Sequence, residues 1–390
     1  MKIPLIKSTF YNDKDTKDKL CEFIQSAERF SLDSECRKFE ENFSNFQERE
    51  YSTFVTSGSS ANLLLVQALL NMGKLKKGDR VGVSALTWST NIMPVIQLGL
   101  EPILIDCEID SVNVSSRKVK EKSIDALFLT NALGFSSDID NIEDYCNEEK
   151  ILFLEDNCES LGTEYKGKLL GNFGLASTFS FYVGHHLSTI EGGMVCTNNE
   201  ELYHNLLISR IHGWGRNLPK EKNDLLKKEH GANDFYEKYL FYDLAFNVRP
   251  TEIAGFLGNL QIKYLNEMID KRESNFKTLN EIISKNPEII PLNLEGLTKI
   301  SNFGVPLTFK KKEYFEKYKK RFEENEVEIR PIISGNMVDQ PFFKKYFPNQ
   351  GPFPNASFIH ENGFYCGNNP EMNPEEINFI KELLKYEKRN

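Results

Sequence analysis

Three short stretches carry residues whose types and spacing suit chemistry. "STFSFYVGHHLSTIEGG" (177–193) delivers His185 and His186 from an apolar, β-branched run into a loop that "EGG" closes. Imidazole is the side chain that takes and gives protons near neutral pH. Two adjacent histidines point in different directions, and neither an HExxH pattern nor a third ligand stands nearby, so a metal site is disfavoured. "KILFLEDNCES" (150–160) ends an apolar run in Glu155 and Asp156, where an acid can face a ligand bound at the carboxyl end of a strand. "TSGSSANLLLVQALL" (56–70) runs from a strand through small residues into a helix. Exposed N–H groups at such a helix start suit a phosphate, and Gly58 lets the backbone come close. Taken singly, each stretch has a plainer reading: Ser59 and Ser60 as N-caps, Asp156 as a cap or surface acid, the histidines as a polar loop.

The surrounding pattern supplies elements to position these groups. From about residue 50 to 200, short apolar runs such as "DRVGVSA", "EPILIDC" and "DALFLTNALG" alternate with helical segments. Runs buried on both faces and joined by helical crossovers predict a mostly parallel, mixed sheet flanked by helices, an α/β fold. After about residue 250 the texture becomes amphipathic helix ("TEIAGFLGNLQIKYLNEMIDKRESNFKTLNEIISK"), then short runs with Pro and Gly. The end is a helix opened by Asn373 and Pro374. The expected division is a large domain over 1–248 and a smaller α+β domain over 249–390, with the N-terminal segment packing on the smaller one.

Composition excludes several classes. The 390 residues carry a net charge of −9 with acids and lysines interspersed, which disfavours nucleic acid as a partner. No run of 18 apolar residues occurs, and "MKIPLIKSTFYNDKDTKD" lacks the apolar core of a signal peptide, so the expected location is cytoplasmic, away from membranes. The seven cysteines form no CxxC pair, which argues against disulfides or a zinc ribbon.

The order of the three stretches is more specific than any one of them. The chain resembles fold-type I pyridoxal phosphate enzymes, and within them the DegT/DnrJ/EryC1/StrS sugar aminotransferase family. The resemblance extends through "LTWSTNIMPVIQLG", "SRIHGWGR", "FNVRPTEIAGFLG" and "IRPIISGNM". It implies that Asp156 pairs with the pyridinium nitrogen, that Gly58, Ser59 and Ser180 hold the phosphate, and that Trp88 stacks on the ring. Asn247 would reach the cofactor of a neighbouring copy, implying a homodimer with shared active sites. Glu159 stands where many relatives carry Gln. His212, Arg216, Arg249, Glu328 and Arg330 are candidates for substrate hydroxyls and diphosphate.

One position departs from the family pattern. Its aminotransferases carry a Schiff-base lysine in the loop after "SF", and here that position is His185, with no lysine between Lys168 and Lys220. The cofactor would then sit noncovalently, as pyridoxal or pyridoxamine phosphate. Within the family this resembles the 3-dehydratases of deoxysugar synthesis. One kind needs four closely spaced cysteines for an iron–sulfur cluster and a partner reductase; the Cys-x-Cys pair is absent here. The metal-free kind remains. The implied activity is 3-dehydration of a nucleotide-linked 4-keto-6-deoxy sugar, GDP-4-keto-6-deoxy-D-mannose foremost, with L-glutamate as amino donor and 2-oxoglutarate and ammonia released. The alternatives are a nucleotide-sugar 4-aminotransferase-like enzyme, a CDP-sugar dehydratase variant, or a catalytically silent cofactor-binding regulator.

Overall fold

The computed structural model describes residues 2–387 apart from 232 and 234. Its centre is a seven-stranded sheet built from β1 (Tyr51–Val55), β2 (Arg80–Ser84), β3 (Glu101–Ile105), β4 (Ala126–Thr130) and β5 (Leu152–Asp156), with two later strands. After the small ribbon of β6 (Glu164–Tyr165) and β7 (Lys168–Leu169), those two are β8 (Ala176–Ser180) and β9 (Gly193–Thr197). The order is β1-β9-β8-β5-β4-β2-β3. Only β9 runs against its neighbours, pairing antiparallel with β1 and β8, so the sheet is mixed but mostly parallel. Every residue of β4, β8 and β9 is buried, as continuous apolar runs require when helices cover both faces.

The strand that leads to the histidine loop is firmly anchored. Phe179 on β8 and Phe181 just beyond it pack with Phe39, Phe43 and Phe54, all fully enclosed, in edge-to-face contacts with ring centroids 5.0–5.1 Å apart for four of the pairs. Each buried ring contributes about 1.5–3 kcal/mol, and each such pair about 0.5–1.5 more. The loop after Phe181 therefore starts from a fixed point.

The later part of the chain adds β10 (Leu297–Lys299), which pairs with β6, and an antiparallel sheet of β11 (Gly304–Thr308), β12 (Ile329–Pro331) and β13 (Gly363–Gly367) in the order β11-β13-β12. The long amphipathic stretch is two helices, Glu252–Gln261 and Leu265–Ile283, separated by a tight 3₁₀ turn at Ile262–Tyr264. The terminal helix, Pro374–Leu384, opens with a full capping box between Asn373 and Glu376. The N-terminus is drawn in as well: Ile3 bridges Val327 beside β12. No described helix is long and apolar enough to cross a membrane.

Candidate active site

At the carboxyl ends of β5, β4 and β8 lies a cavity of about 500 Å³. Open α/β sheets place ligands there, outside the strand ends. Gly58, Ser59, Trp88, Asp156, Glu159 and Ser180 all line it, as do His185, Glu328 and Arg330.

One end of the cavity is a helix start. Ser57, in extended conformation, caps the helix Gly58–Asn71 by accepting from Ser60 N at 3.0 Å. The cap is thus Ser57, not Ser59 or Ser60 as the sequence suggested, because the helix begins at Gly58, two residues before a Ser59 cap would start it. Ser59 lines the cavity, its hydroxyl donating to Thr90 Oγ1 at 3.2 Å. A Cβ at position 58 would lie 2.7 Å from Ser180 Cβ and 2.8 Å from Cys158 Sγ. Only glycine lets the helix start, the end of β5 and the end of β8 converge this closely.

Asp156 ends β5 and is held by three donors. Asn91 Nδ2 reaches Oδ2 at 2.6 Å, Asn62 Nδ2 reaches it at 2.9 Å, and Cys158 N reaches Oδ1 at 2.9 Å. Asn91 is itself oriented by Thr87, which donates to its Oδ1 at 2.9 Å. The neighbouring Glu155 points the other way, accepting from the backbone of Gly171, Phe173 and Gly174 and so tying down the loop before β8. Burial pushes the Glu159 carboxyl up to about 7, opposed by the hydrogen bond from Leu133 N at 2.8 Å. Burial, with Asp156 beside it, likewise keeps the Cys158 thiol protonated.

The histidine loop faces this floor. His185 N donates to Tyr182 O at 2.9 Å, and its ring lies 5.8 Å from Tyr182 and 5.4 Å from Phe303. Nδ1 is buried without a partner, leaving Nε2 as the nitrogen on the cavity side. The ring borders the cavity, yet the walls around it strip away most solvent: burial drives its pKa down to about 4, Asp156 opposing and Arg272 assisting. His186 turns away, fully enclosed, with Nε2 2.7 Å from Ser301 O. The two histidines are therefore unequal, one in the cavity and one in the wall behind it.

At the mouth, Glu328 is already engaged by Leu5 N at 2.9 Å and by the Arg330 guanidinium. Leu5 and Ile6 also line the cavity, a role that no local motif announces. Asn62 and Asn91 were equally silent in sequence, each lying inside a helix. Four expected residues lie away from the cavity within one chain. Asn247 is exposed and accepts from Arg249 Nε at 3.0 Å, on a segment bonded to Arg210 and Thr56 through Val248. His212 is exposed beside Trp214, and the Arg216 guanidinium stacks on Trp214 at 4.0 Å in a separate surface hollow with Lys238 and Tyr239.

Residues 11–385 match the DegT/DnrJ/EryC1/StrS aminotransferase family. The chain belongs to this family. The GDP-4-keto-6-deoxy-D-mannose 3-dehydratase of Escherichia coli O55:H7 is 34% identical over 393 residues, covering 98% of this chain and 99% of the relative. A solved GDP-4-keto-6-deoxymannose-3-dehydratase with a trapped PLP–glutamate geminal diamine superposes with a TM-score of 0.90 at 32% identity, over 98% of this chain and all of that one. A histidine-to-asparagine variant of such a dehydratase with bound GDP-perosamine gives 0.89 at 32% identity, over the same shares.

Pyridoxal 5'-phosphate is the cofactor of this family, and the cavity suits it. A helix start from which a side chain is excluded at Gly58, three hydroxyls at Ser57, Ser59 and Ser180, the Trp88 indole left 52% exposed, and a buried carboxylate at Asp156 are the donor set a phosphorylated pyridine needs.

Proposed function

We propose that the chain catalyses the pyridoxal-phosphate-dependent 3-dehydration of a GDP-linked 4-keto-6-deoxy sugar, GDP-4-keto-6-deoxy-D-mannose, with His185 in place of a Schiff-base lysine. The observation that carries this reading is the cavity itself: His185 stands beside Asp156 at the end of the β8 loop, and among the described lining residues there is no lysine.

Bound there, the cofactor would supply an amino-group carrier between L-glutamate and the sugar ketone, and an electron sink for the elimination. The protein's groups divide the remaining work. Asp156, fixed by Asn62 and Asn91, would hold the proton on the pyridine nitrogen. Gly58, Ser59 and Ser180 would hold its phosphate and Trp88 would stack on the ring, with Glu159 in the lining of the same cavity. His185 Nε2, neutral at physiological pH, accepts a proton and returns it to the hydroxyl leaving sugar C3. A lysine amine at this position would protonate sugar C4 and leave an amino sugar; with an imidazole there instead, elimination is favoured and the nitrogen leaves as ammonia on hydrolysis. Atoms balance: glutamate and the ketosugar give 2-oxoglutarate, ammonia and a sugar one oxygen poorer, glutamate supplying the two electrons.

Two further readings go with this one. Asn247 and Arg249, with His212 and Arg216, serve the site of a second copy in a homodimer. The support is the exposed aromatic stretch Phe235, Tyr236, Tyr239 and Phe241, of the kind that marks a contact surface. The chain divides into a cofactor-binding part, 1–248, and a smaller part, 249–390, because the large sheet ends at Thr197 and the β11-β13-β12 sheet begins at Gly304. Helix Glu252–Gln261, just past that boundary, bridges the two by packing back on helix Ser34–Gln47.

Incubation with pyridoxal phosphate, L-glutamate and GDP-4-keto-6-deoxy-D-mannose tests the function. The expected product is one oxygen lighter than the substrate, with one ammonia per turnover; an amino sugar would overturn the reading.

A further inference from the structure

Helix Leu265–Ile283 buries Leu265, Met268, Ile269, Phe276, Leu279 and Ile283 along one face. Arg272 falls in the same row and is 4% exposed. A cation in such a place costs several kcal/mol unless something opposes it. Its Nη2 donates to the backbone carbonyl of His185 at 3.1 Å, while Nε and Nη1 are buried without partners. Burial pulls its pKa down to about 9, which leaves it cationic at neutral pH. The helix backbone at that point is held in turn, Asn368 Nδ2 donating to Arg272 O at 2.9 Å.

A neutral amide would hold a carbonyl just as well without burying a charge. The retained charge therefore calls for an electrostatic reason, and the groups around His185 supply one. From β5, Asp156 pulls the imidazole towards its protonated form. Glu159 lies in the same cavity with its carboxyl near 7. Tyr182 and Phe303 flank the ring with no charge, and His186 lies behind it, enclosed and held well below the ordinary histidine range by burial. Glu191, Tyr365 and the paired Glu328 and Arg330 stand further round the cavity. A base already carrying its proton cannot take another.

We propose that Arg272 is a positioning residue for the proton transfer, its guanidinium fixing the loop through the His185 carbonyl and its charge adding to burial in keeping the His185 ring neutral against Asp156. This rests on His185 being the proton carrier.

The test follows the His185 Cε1 resonance by NMR against pH in the full-length protein loaded with pyridoxamine phosphate. The signal is assigned by its loss in His185→Asn, and wild type is compared with Arg272→Gln and Arg272→Lys. Arg272→Gln should raise the titration midpoint by about one pH unit, the size of shift a nearby charge produces. Arg272→Lys, which keeps the charge, should leave it within about 0.3 units. The acid limb of the pH profile for the glutamate half-reaction should move with the midpoint. An unchanged midpoint in Arg272→Gln, or an equal shift in both variants, overturns the proposal. Should Arg272→Gln not fold, Arg272→Met, which keeps the stem and removes the charge, takes its place, and an unchanged midpoint there contradicts the proposal. If the shift is seen while His185→Asn still dehydrates the sugar, the charge effect stands and the functional reading fails.

Discussion

The two sides of the cavity are built differently. On the strand-end side, Asp156 receives three donors at 2.6–2.9 Å, and its partner Asn91 is itself held by Thr87. On the loop side, His185 Nδ1, His186 Nδ1 and two nitrogens of Arg272 are buried with no partner. The three donors around the Asp156 carboxylate fix its geometry, whereas a guanidinium with unpaired nitrogens in a poorly solvated place acts strongly on the groups beside it. The contrast fits the proposed division of labour, the strand ends anchoring the cofactor and the loop handling protons, and the substitutions that follow are chosen to separate these two tasks.

The largest effect belongs to the loop. His185→Asn should lower dehydration by about 10²- to 10⁴-fold, the ordinary worth of a positioned acid–base group. Cofactor absorbance titrations should show binding little changed, because the anchor is on the other side. Loss of cofactor affinity comparable to the loss of rate would erase the contrast.

Acid should expose the loop next. The His185 imidazole is held below its ordinary 6.5, at about 4, so the unfolded chain takes up the proton first as pH falls. Its contribution is complete above pH 6.5 and is lost progressively towards pH 4, at most about 3 kcal/mol before screening by water in the cavity. Urea unfolding at a series of pH values measures the slope, and His185→Asn should reduce it, leaving the part that belongs to the buried His186.

On the anchor side, Asp156→Asn replaces a charged acceptor, and hydrogen bonds to charged groups are worth about 1.5–3 kcal/mol. Cofactor affinity should fall about 10- to 100-fold in equilibrium titration, without the change in acid stability expected of His185→Asn. The smallest effect is Ser57→Ala, which removes the cap of the helix that begins at Gly58. It should cost about 0.5–2 kcal/mol in thermal unfolding and leave the His185 titration alone.

How much of this was legible in the sequence depended on where a residue sits. Gly58, Ser59, Trp88, Asp156, Glu159, Ser180 and His185 all fall at strand ends or in the turns after them, where an alternating α/β pattern must place its ligand, and they meet in one cavity. Asn62 and Asn91 lie one turn into helices, where an amide gives no periodic signal, though they fix Asp156. Leu5 and Ile6 come from a segment hundreds of residues away from Glu328, and only the fold brings them together. Arg272 was hidden in the charged run "DKRESN"; the clue was its place on the apolar row of its helix. Asn247, which the resemblance assigned to a neighbouring copy, and Arg249 were legible as a motif, and within one chain both lie away from the cavity.

The central claim is that His185 stands where a lysine would hold the cofactor covalently, and borohydride reduction tests it most directly. Reduced in the presence of pyridoxal phosphate and digested for mass spectrometry, wild type should yield no cofactor-labelled peptide, whereas His185→Lys should be labelled at that position and lose dehydration. A wild-type protein labelled at any of its own lysines in stoichiometric yield would contradict the account.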